Sequence, residues 1–484
     1  MARDHRTAAH KDANAILAII LISYFMILLD NSVIFTGLPS IESGMDLSSI
    51  QLSWVQDAYT LVFGGLLLLA ARAGDLVGRR RLFIIGLTIF AASSFLVGVA
   101  PAGWWLIASR AVQGIGAAIV APTSLSLLTA TFPAGPERTR AVAWYGAAAG
   151  LGASLGLVVG GALTDWVSWR AGFFINVPIG AAMVLAALRF LPETPRVRGR
   201  FDLLGALFAT LGIGGLVFGT IHSSEAGWGS PVTVTAYVVG VVFLVALVVN
   251  ESRAAQPIMP LRLFRSSERS GAYATRMLYL GAMIGFFFFT TQFLQGVFGF
   301  SPLEAGLAFL PMTAVNFVVA MAVPRMVGRS GNGALLAGGV AVTLVGMAWL
   351  SRVDPGDTYL LGVALPMLLI GAGQGMAFAP LTSAGISGVT GEDAGAASGL
   401  VNTAHQLGST LGIAILVAIA ANPGDAAPTR MEALADRVDA ALTGGTGLLA
   451  LALVVVITFI LPKERRARRA HRAEQASVSG AIAA

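Results

Sequence analysis

The chain has no cysteine and only two lysines, Lys11 and Lys463, among its 484 residues. Without cysteine there is no disulfide framework, no thiol nucleophile and no cysteine-ligated metal. Neither lysine stands in a GxxxxGK[ST] loop, so nucleotide hydrolysis by that phosphate-gripping device is excluded. Charge of either sign is scarce. Asp, Glu, Lys and Arg make up 12% of the residues, against about 25% in soluble domains. No HExxH sequence or compact Asp/His cluster marks a metal centre, and no cofactor is expected. A membrane enzyme or receptor-like scaffold would need a catalytic cluster or a sizeable soluble domain. Neither is visible, so the chain is not read as an enzyme.

Apolar residues fill the space that charge leaves. They make up 56% of the chain, with a mean hydropathy of +0.78. The 58 glycines are spread through the apolar runs, as in packed membrane helices where small residues let backbones approach. Runs long enough to cross about 30 Å of hydrocarbon recur along the whole chain. Fourteen membrane helices are predicted, at 14–37, 51–71, 82–100, 104–131, 140–163, 171–191, 203–221, 232–250, 271–295, 303–327, 333–350, 358–387, 394–420 and 444–461. The first shows no signal-peptidase pattern and is expected to be retained. Gly37-Leu38-Pro39 reads as its outer end.

An even number of spans puts both termini on one side. With that side cytoplasmic, the inner loops and tails hold 26 of the 31 basic residues. Arg170, Arg352, Arg430 and Arg437 fall outside, and Arg110 lies within a helix. The clusters Arg79-Arg80-Arg81, Arg196/Arg198/Arg200 and Arg465/Arg466/Arg468/Arg469 drive this asymmetry, so both termini are expected inside. The sequence pI near 10.0 therefore reflects topology and anionic headgroups, not nucleic acid. The outer segment 422–443 is the largest polar loop and reads as a short surface helix.

The chain repeats itself. QGIGAAIVAPTS (113–124) is echoed by QGMAFAPLTS (374–383), and ERTRAVAWYGAAAGLGASLG (137–156) by EDAGAASGLVNTAHQLGSTLG (392–412). The echoes fall on equivalent helices if 14–191 and 271–461 are two six-helix bundles. Between them, 192–270 is a linker with an inserted two-helix hairpin. Residues 1–13 and 462–484 are cytoplasmic tails. Parallel halves around a central cavity are a transporter design.

The motifs resemble the major facilitator superfamily, and within it the fourteen-helix drug:proton antiporter branch. ARAGDLVGRRR (71–81) resembles its cytoplasmic gating loop, with Asp75, Gly78, Arg79 and Arg80 in place and Ala71 where the leading glycine usually stands. ASRAVQGIGAA (108–118) resembles the motif with a membrane arginine, here Arg110 followed by Gln113-Gly114. GASLGLVVGG (152–161) resembles the antiporter motif through Gly152, Gly156, Gly160 and Gly161, with Leu157 replacing its usual proline. LDNSVIFTGLP (29–39) resembles the branch's signature in the first helix. The resemblance implies an all-α membrane fold and export coupled to protons.

Charges inside a membrane cost at least ~2.5–3.5 kcal/mol at a helix centre and need a reason. By helix rise, Asp30, Asp57 and Arg110 each lie roughly 8–13 Å from the outer end of their helices, so the three are expected to share an outward-facing cavity. A carboxylate there can alternate between proton and cation, which exchange requires. His405, near the middle of the thirteenth span, suits a proton relay or a hydrogen-bonded structural role. Tyr59, Gln113, Asn316, Gln374, Asn402 and Gln406 are candidate cavity-lining residues. Trp54, Phe286 to Phe289, Phe293 and Phe378 are candidates for an aromatic wall, although four consecutive phenylalanines cannot all face one cavity. Gly152, Gly156 and Gly160, spaced by four, form one face for close helix contact.

The expected activity is proton-coupled export of lipophilic or cationic drug-like molecules by alternating access. The expected setting is a monomer in the bacterial inner membrane, with protons, lipid and a small-molecule substrate as its partners. The alternative is a proton-coupled exporter of one metabolite or antibiotic, anionic or lipid-like, using Arg110.

Overall fold

The structure is a computed structural model. It describes residues 2–132, 136–193, 202–254, 257–389, 393–421 and 429–465, without the side chains of 2–12, Asp75, Ser224, Glu225, Ala394 and ten positions within 136–154. Arg196, Arg198, Arg200, Arg466, Arg468, Arg469 and residues 422–428 lie outside the described residues.

Fourteen helical spans are present among the described residues, with no strand. They are α1 (Ala2–Met45), α2 (Ser49–Val77), α3 (Arg79–Gly98), α4 (Gly103–Thr131), α5 (Pro136–Trp166), α6 (Ala171–Phe190) and α7 (Leu203–Ala226). The rest are α8 (Pro231–Arg253), α9 (Ser267–Gly296), α10 (Pro302–Ser330), α11 (Asn332–Leu350), α12 (Tyr359–Gly385), α13 (Ala394–Ala420) and α14 (Arg430–Arg465). Thirteen are long and apolar enough to cross a membrane, and α5 carries a shorter apolar piece, Leu155–Trp166.

Helix ends follow local chemistry. Ser48 and Gln51 form a reciprocal capping box at the start of α2, and Ser301 and Glu304 form another at α10. Each box satisfies two backbone donors that a helix N-terminus leaves open. Two boundaries differ from expectation. Helix α1 does not end at Gly37-Leu38-Pro39 but continues to Met45 with Pro39 inside it, since a membrane helix can carry a proline where neighbours re-satisfy its backbone. Helix α14 begins at Arg430, so the described part of the segment read as a surface helix is the first turns of a spanning one.

Helices α7 and α8 pack on each other as a hairpin between α1–α6 and α9–α14. A single glycine joins α2 to α3 and α10 to α11: Gly78 at φ 108° and Gly331 at φ 91°. Both sit in the positive-φ region that a side chain would disfavour. Close helix contacts repeat as well. A Cβ on Gly156 of α5 would meet Ser32 Cβ of α1 at 2.5 Å, and one on Gly160 would meet Val33 Cα at 2.6 Å. Gly408 and Gly412 bring α13 equally close to Met277 and Gly281 of α9. Gly161 instead packs against Pro302 and Leu303 of α10, across the halves.

The apolar core is asymmetric along the bundle axis. At the end holding the α1–α2 loop, Phe35, Leu38, Val55 and Phe173 of the first half merge with Phe286, Phe293, Phe309 and Met312 of the second. At the opposite end the first half keeps its own core around Ile20, Phe83 and Leu127. There the halves meet along α2 and α13, where Leu68 packs with Leu400 and Ala404. All of Phe286 to Phe289 pack inside the protein.

Candidate functional site

A polar knot lies within the first half. Arg110 of α4 and Asp30 of α1 are both fully buried and form an ion pair at 2.8 Å. The Asp30 carboxylate also accepts from Gln113 Nε2 at 2.8 Å and from Asn176 Nδ2, on α6, at 2.7 Å. Ser94 of α3 accepts from Gln113 at 2.6 Å and from Asn176 at 3.2 Å. The guanidinium donates further to Gln113 Oε1 at 2.7 Å and, through Nε, to the Val55 carbonyl at 3.1 Å. The Tyr59 ring lies 4.3 Å beneath it. Five helices, α1, α2, α3, α4 and α6, therefore meet at one charge pair. Each charge is matched and hydrogen-bonded, which a buried pair needs to offset its desolvation.

Asp57 is not part of this knot. Its neighbour Gln56 is, approaching Arg110 at 3.5 Å and donating to Asn31 Oδ1 at 2.9 Å. At 100° per residue, the face of α2 that carries Val55, Gln56 and Tyr59 turns toward α4 and leaves Asp57 on another face. Gly64 and Leu68, seven and eleven residues on, share that face and pack on Gln406 and Gly399 of α13. Thr60 adds a bond across the same seam, accepting from Thr410 Oγ1 at 2.7 Å. Asp57 is completely buried there, and neither carboxylate oxygen has a hydrogen-bond partner. The expectation of one cavity shared by Asp30, Asp57 and Arg110 is thus corrected. Depth alone said nothing about rotation around the helix axis.

The second half holds a charge that the basic-residue count had placed with the cytoplasmic ends. Arg276 stands nine residues into α9 and is 5% exposed. It donates to Thr382 Oγ1 of α12 at 3.1 Å and lies 3.4 Å from His405 Nδ1 of α13. A guanidinium can only donate, so Nδ1 accepts as part of a neutral ring. Phe378 lies under the guanidinium at 4.2 Å. The other candidates are dispersed: Asn316 on α10, Gln374 on α12 and Gln406 on α13 are half-buried, and Asn402 is exposed.

The glycine-hinged loop ties the first half together. Arg79 donates to the Ser126 carbonyl of α4 at 3.1 Å, and Arg80 to the Leu188 carbonyl of α6 at 2.6 Å. The Asp75 side chain lies outside the described residues. Gly152 abuts Leu28 of α1, where an added Cβ would stand 3.0 Å from the Leu28 Cβ. At the other end of the bundle, a cavity of about 940 Å³ opens between the halves. Glu42 and Asp46 line one wall, Arg430 and Arg437 the other, and Phe288 and Gln292 lie deeper. Gln295 of α9 donates to the Thr36 carbonyl of α1 at 2.9 Å. Among the described residues no group of three His, Asp or Glu gathers as a metal site.

Asp30 and Arg110 were legible because charge stands out in apolar runs. Gln56, Ser94 and Asn176 carried no such mark, being uncharged polar residues of a kind common in helices. Arg276 was hidden by its nearness to a basic helix end.

The chain matches the family model described as Major Facilitator Superfamily over residues 20–413. It is 37% identical to the cephamycin export protein CmcT of Amycolatopsis lactamdurans over 94% of each chain. It is 36% identical to the puromycin resistance protein pur8 of Streptomyces alboniger, over 83% of this chain and 80% of that one. A solved structure of a POT family transporter in complex with 5-aminolevulinic acid superposes with a TM-score of 0.67 at 12% identity, covering 94% and 96% of the two chains. That likeness concerns the fold alone. The chain belongs to the Major Facilitator Superfamily and is a multi-pass membrane transporter of small molecules, not an enzyme.

Proposed function

We propose that this transporter exports lipophilic, drug-sized molecules in exchange for protons, as a monomer in the bacterial inner membrane with both termini cytoplasmic. The observation that carries the reading is Asp57, a buried carboxylate without a partner at the α2–α13 seam between the halves. Closing such a seam over a bare charge is costly, so its partner is a proton, the cargo, or each in turn. When the seam opens to the outer side, Asp57 takes a proton and cargo leaves. When it opens to the cytoplasm, the proton is released and cargo enters.

The Asp30–Arg110 knot is the fixed part in this reading. It holds α1, α2, α3, α4 and α6 as one rigid body that rocks against the second half. With the basic loops placed inside, the merged core closes the path beneath the outer cavity, sharing Phe288 and Phe289 with its floor, and the separate cores face the cytoplasm. The export and resistance proteins that the chain resembles support efflux as the direction.

Cargo charge divides the reading in two. A lipophilic cation would find its counter-charge in Asp57. Arg276, buried beside neutral groups, favours an anionic cargo instead. Everted membrane vesicles test the whole: acidifying the lumen should drive uptake of cargo, and each cargo added should alkalinise the lumen. Uptake that ignores the proton gradient would remove the coupling. A panel of cationic, neutral and anionic compounds settles the charge.

A further inference from the structure

We propose that Arg276 is the counter-charge for an anionic group, a carboxylate or its equivalent, on the transported molecule. The inference rests on the transport reading and gives that site a ligand class. Among the described residues two arginines lie buried among the helices, and they differ in one respect. Arg110 has Asp30 at 2.8 Å. Arg276 has a threonine hydroxyl, a neutral imidazole nitrogen and a phenyl face, and its Nε has no partner at all. No carboxylate of the described residues reaches it within 4.0 Å. A desolvated guanidinium without a counter-ion is expensive in a membrane protein, and such residues mark the path of a charged substrate.

The surroundings are those of a binding site. Thr382, Phe378 and His405 are each partly buried, and Asn402, one turn from His405, is exposed. On α13, Val401, His405, Gly408 and Gly412 turn toward α9 and α12, while Gly399, Gln406 and Thr410 turn toward α2. Asn402 projects between these two packing faces, so the exposed edge of the cluster lies between the halves rather than toward lipid. Counting from the shared ends of α9 and α13, the cluster lies roughly 13–17 Å into the bundle, on the end opposite the α1–α2 loop. Cargo arriving from that end meets Arg276 before it meets Asp57. The fork-shaped donor set recognises a planar two-oxygen anion, and Phe378 offers the adjoining face to an apolar body.

The test is equilibrium binding to the full chain in detergent, at one pH and without a gradient, so that it does not depend on coupling. The probes are 2-naphthoxyacetate, its neutral analogue 2-naphthoxyacetamide, and ethidium. The wild type should bind the carboxylate about 10- to 150-fold more tightly than the amide, the range for hydrogen bonds to charged groups. Arg276→Gln should erase that preference without weakening the amide, and Arg276→Lys should keep part of it. If Arg276→Gln does not fold, Thr382→Asp gives the arginine a carboxylate of its own and should exclude the anionic probe. A wild type without the preference overturns the proposal, as does a preference that survives Arg276→Gln or Thr382→Asp. Loss of the preference when chloride is added to a low-salt medium assigns the arginine to an inorganic counter-ion and overturns it too. A carboxylate preference in a chain that shows no proton-driven flux removes the coupling reading and leaves the subsite standing.

Discussion

Replacing Asp57 by asparagine keeps the shape of the side chain and removes its charge and its proton. The carboxylate is fully buried at the α2–α13 seam, with both oxygens unpartnered. Burying a bare carboxylate costs about 2.5–3.5 kcal/mol on insertion scales, which is about 60- to 300-fold in the balance between closed and open seam. In the wild type a proton removes that penalty, so closure depends on pH. In Asp57→Asn the penalty is absent at every pH. The seam should then close with or without a proton, and cargo should equilibrate across the membrane instead of accumulating. The assay compares two activities in proteoliposomes: cargo accumulation driven by a pH gradient, and cargo–cargo exchange without one. Asp57→Asn should lose the first by about two orders of magnitude and retain the second. Unchanged accumulation in this variant would refute the argument.

Three further outcomes follow from the packing. Asp30→Asn leaves Arg110 buried without its counter-charge and should destabilise the protein by about 3–5 kcal/mol, visible as a lower melting temperature in detergent; Asp30→Asn with Arg110→Gln should recover part of it. Gly156→Val forces β-carbons into Ser32 and the Leu29 carbonyl, which an added Cβ would already approach at 2.5 and 2.9 Å; it should separate α1 from α5 and abolish transport, whereas Gly356→Val, with open space around it, should be silent in the same assay. Arg262 donates to Asp393 at 2.5 and 2.8 Å, and these bonds hold the Asp393 carboxyl below its ordinary value. The folded form is thus favoured above about pH 4, the unfolded carboxyl's range, and loses that contribution as pH falls through the lower folded value. Asp393→Asn should flatten this acid limb of the melting temperature between about pH 5 and 3.

The fold was legible because its signals are long. A span of about 20 apolar residues repeats often enough to count, and the paired echoes at 113–124 and 374–383 fall on α4 and α12. Charge inside an apolar run was legible too, which is how Asp30 and Arg110 stood out. The rotation of a helix about its own axis was not. Asp57 and Gln56 are adjacent, yet only Gln56 reaches the knot, and the difference is set by how α2 packs between α4 and α13. Arg276 shows a second blind spot. An arginine nine residues into a helix whose first turns hold Glu268 and Arg269 is indistinguishable, by composition, from one at the membrane surface. The end of α1 was misplaced for a third reason: a proline that stops a soluble helix is carried inside a membrane one.

The measurement closest to the central claim counts protons against cargo. In sealed proteoliposomes with a pH-sensitive dye inside and labelled cargo outside, one leaflet orientation selected, cargo flux and proton flux are read together. The account predicts a fixed, opposite flow of protons for each cargo molecule in the wild type, abolished in Asp57→Asn. Cargo flux in the wild type without any proton movement would contradict it.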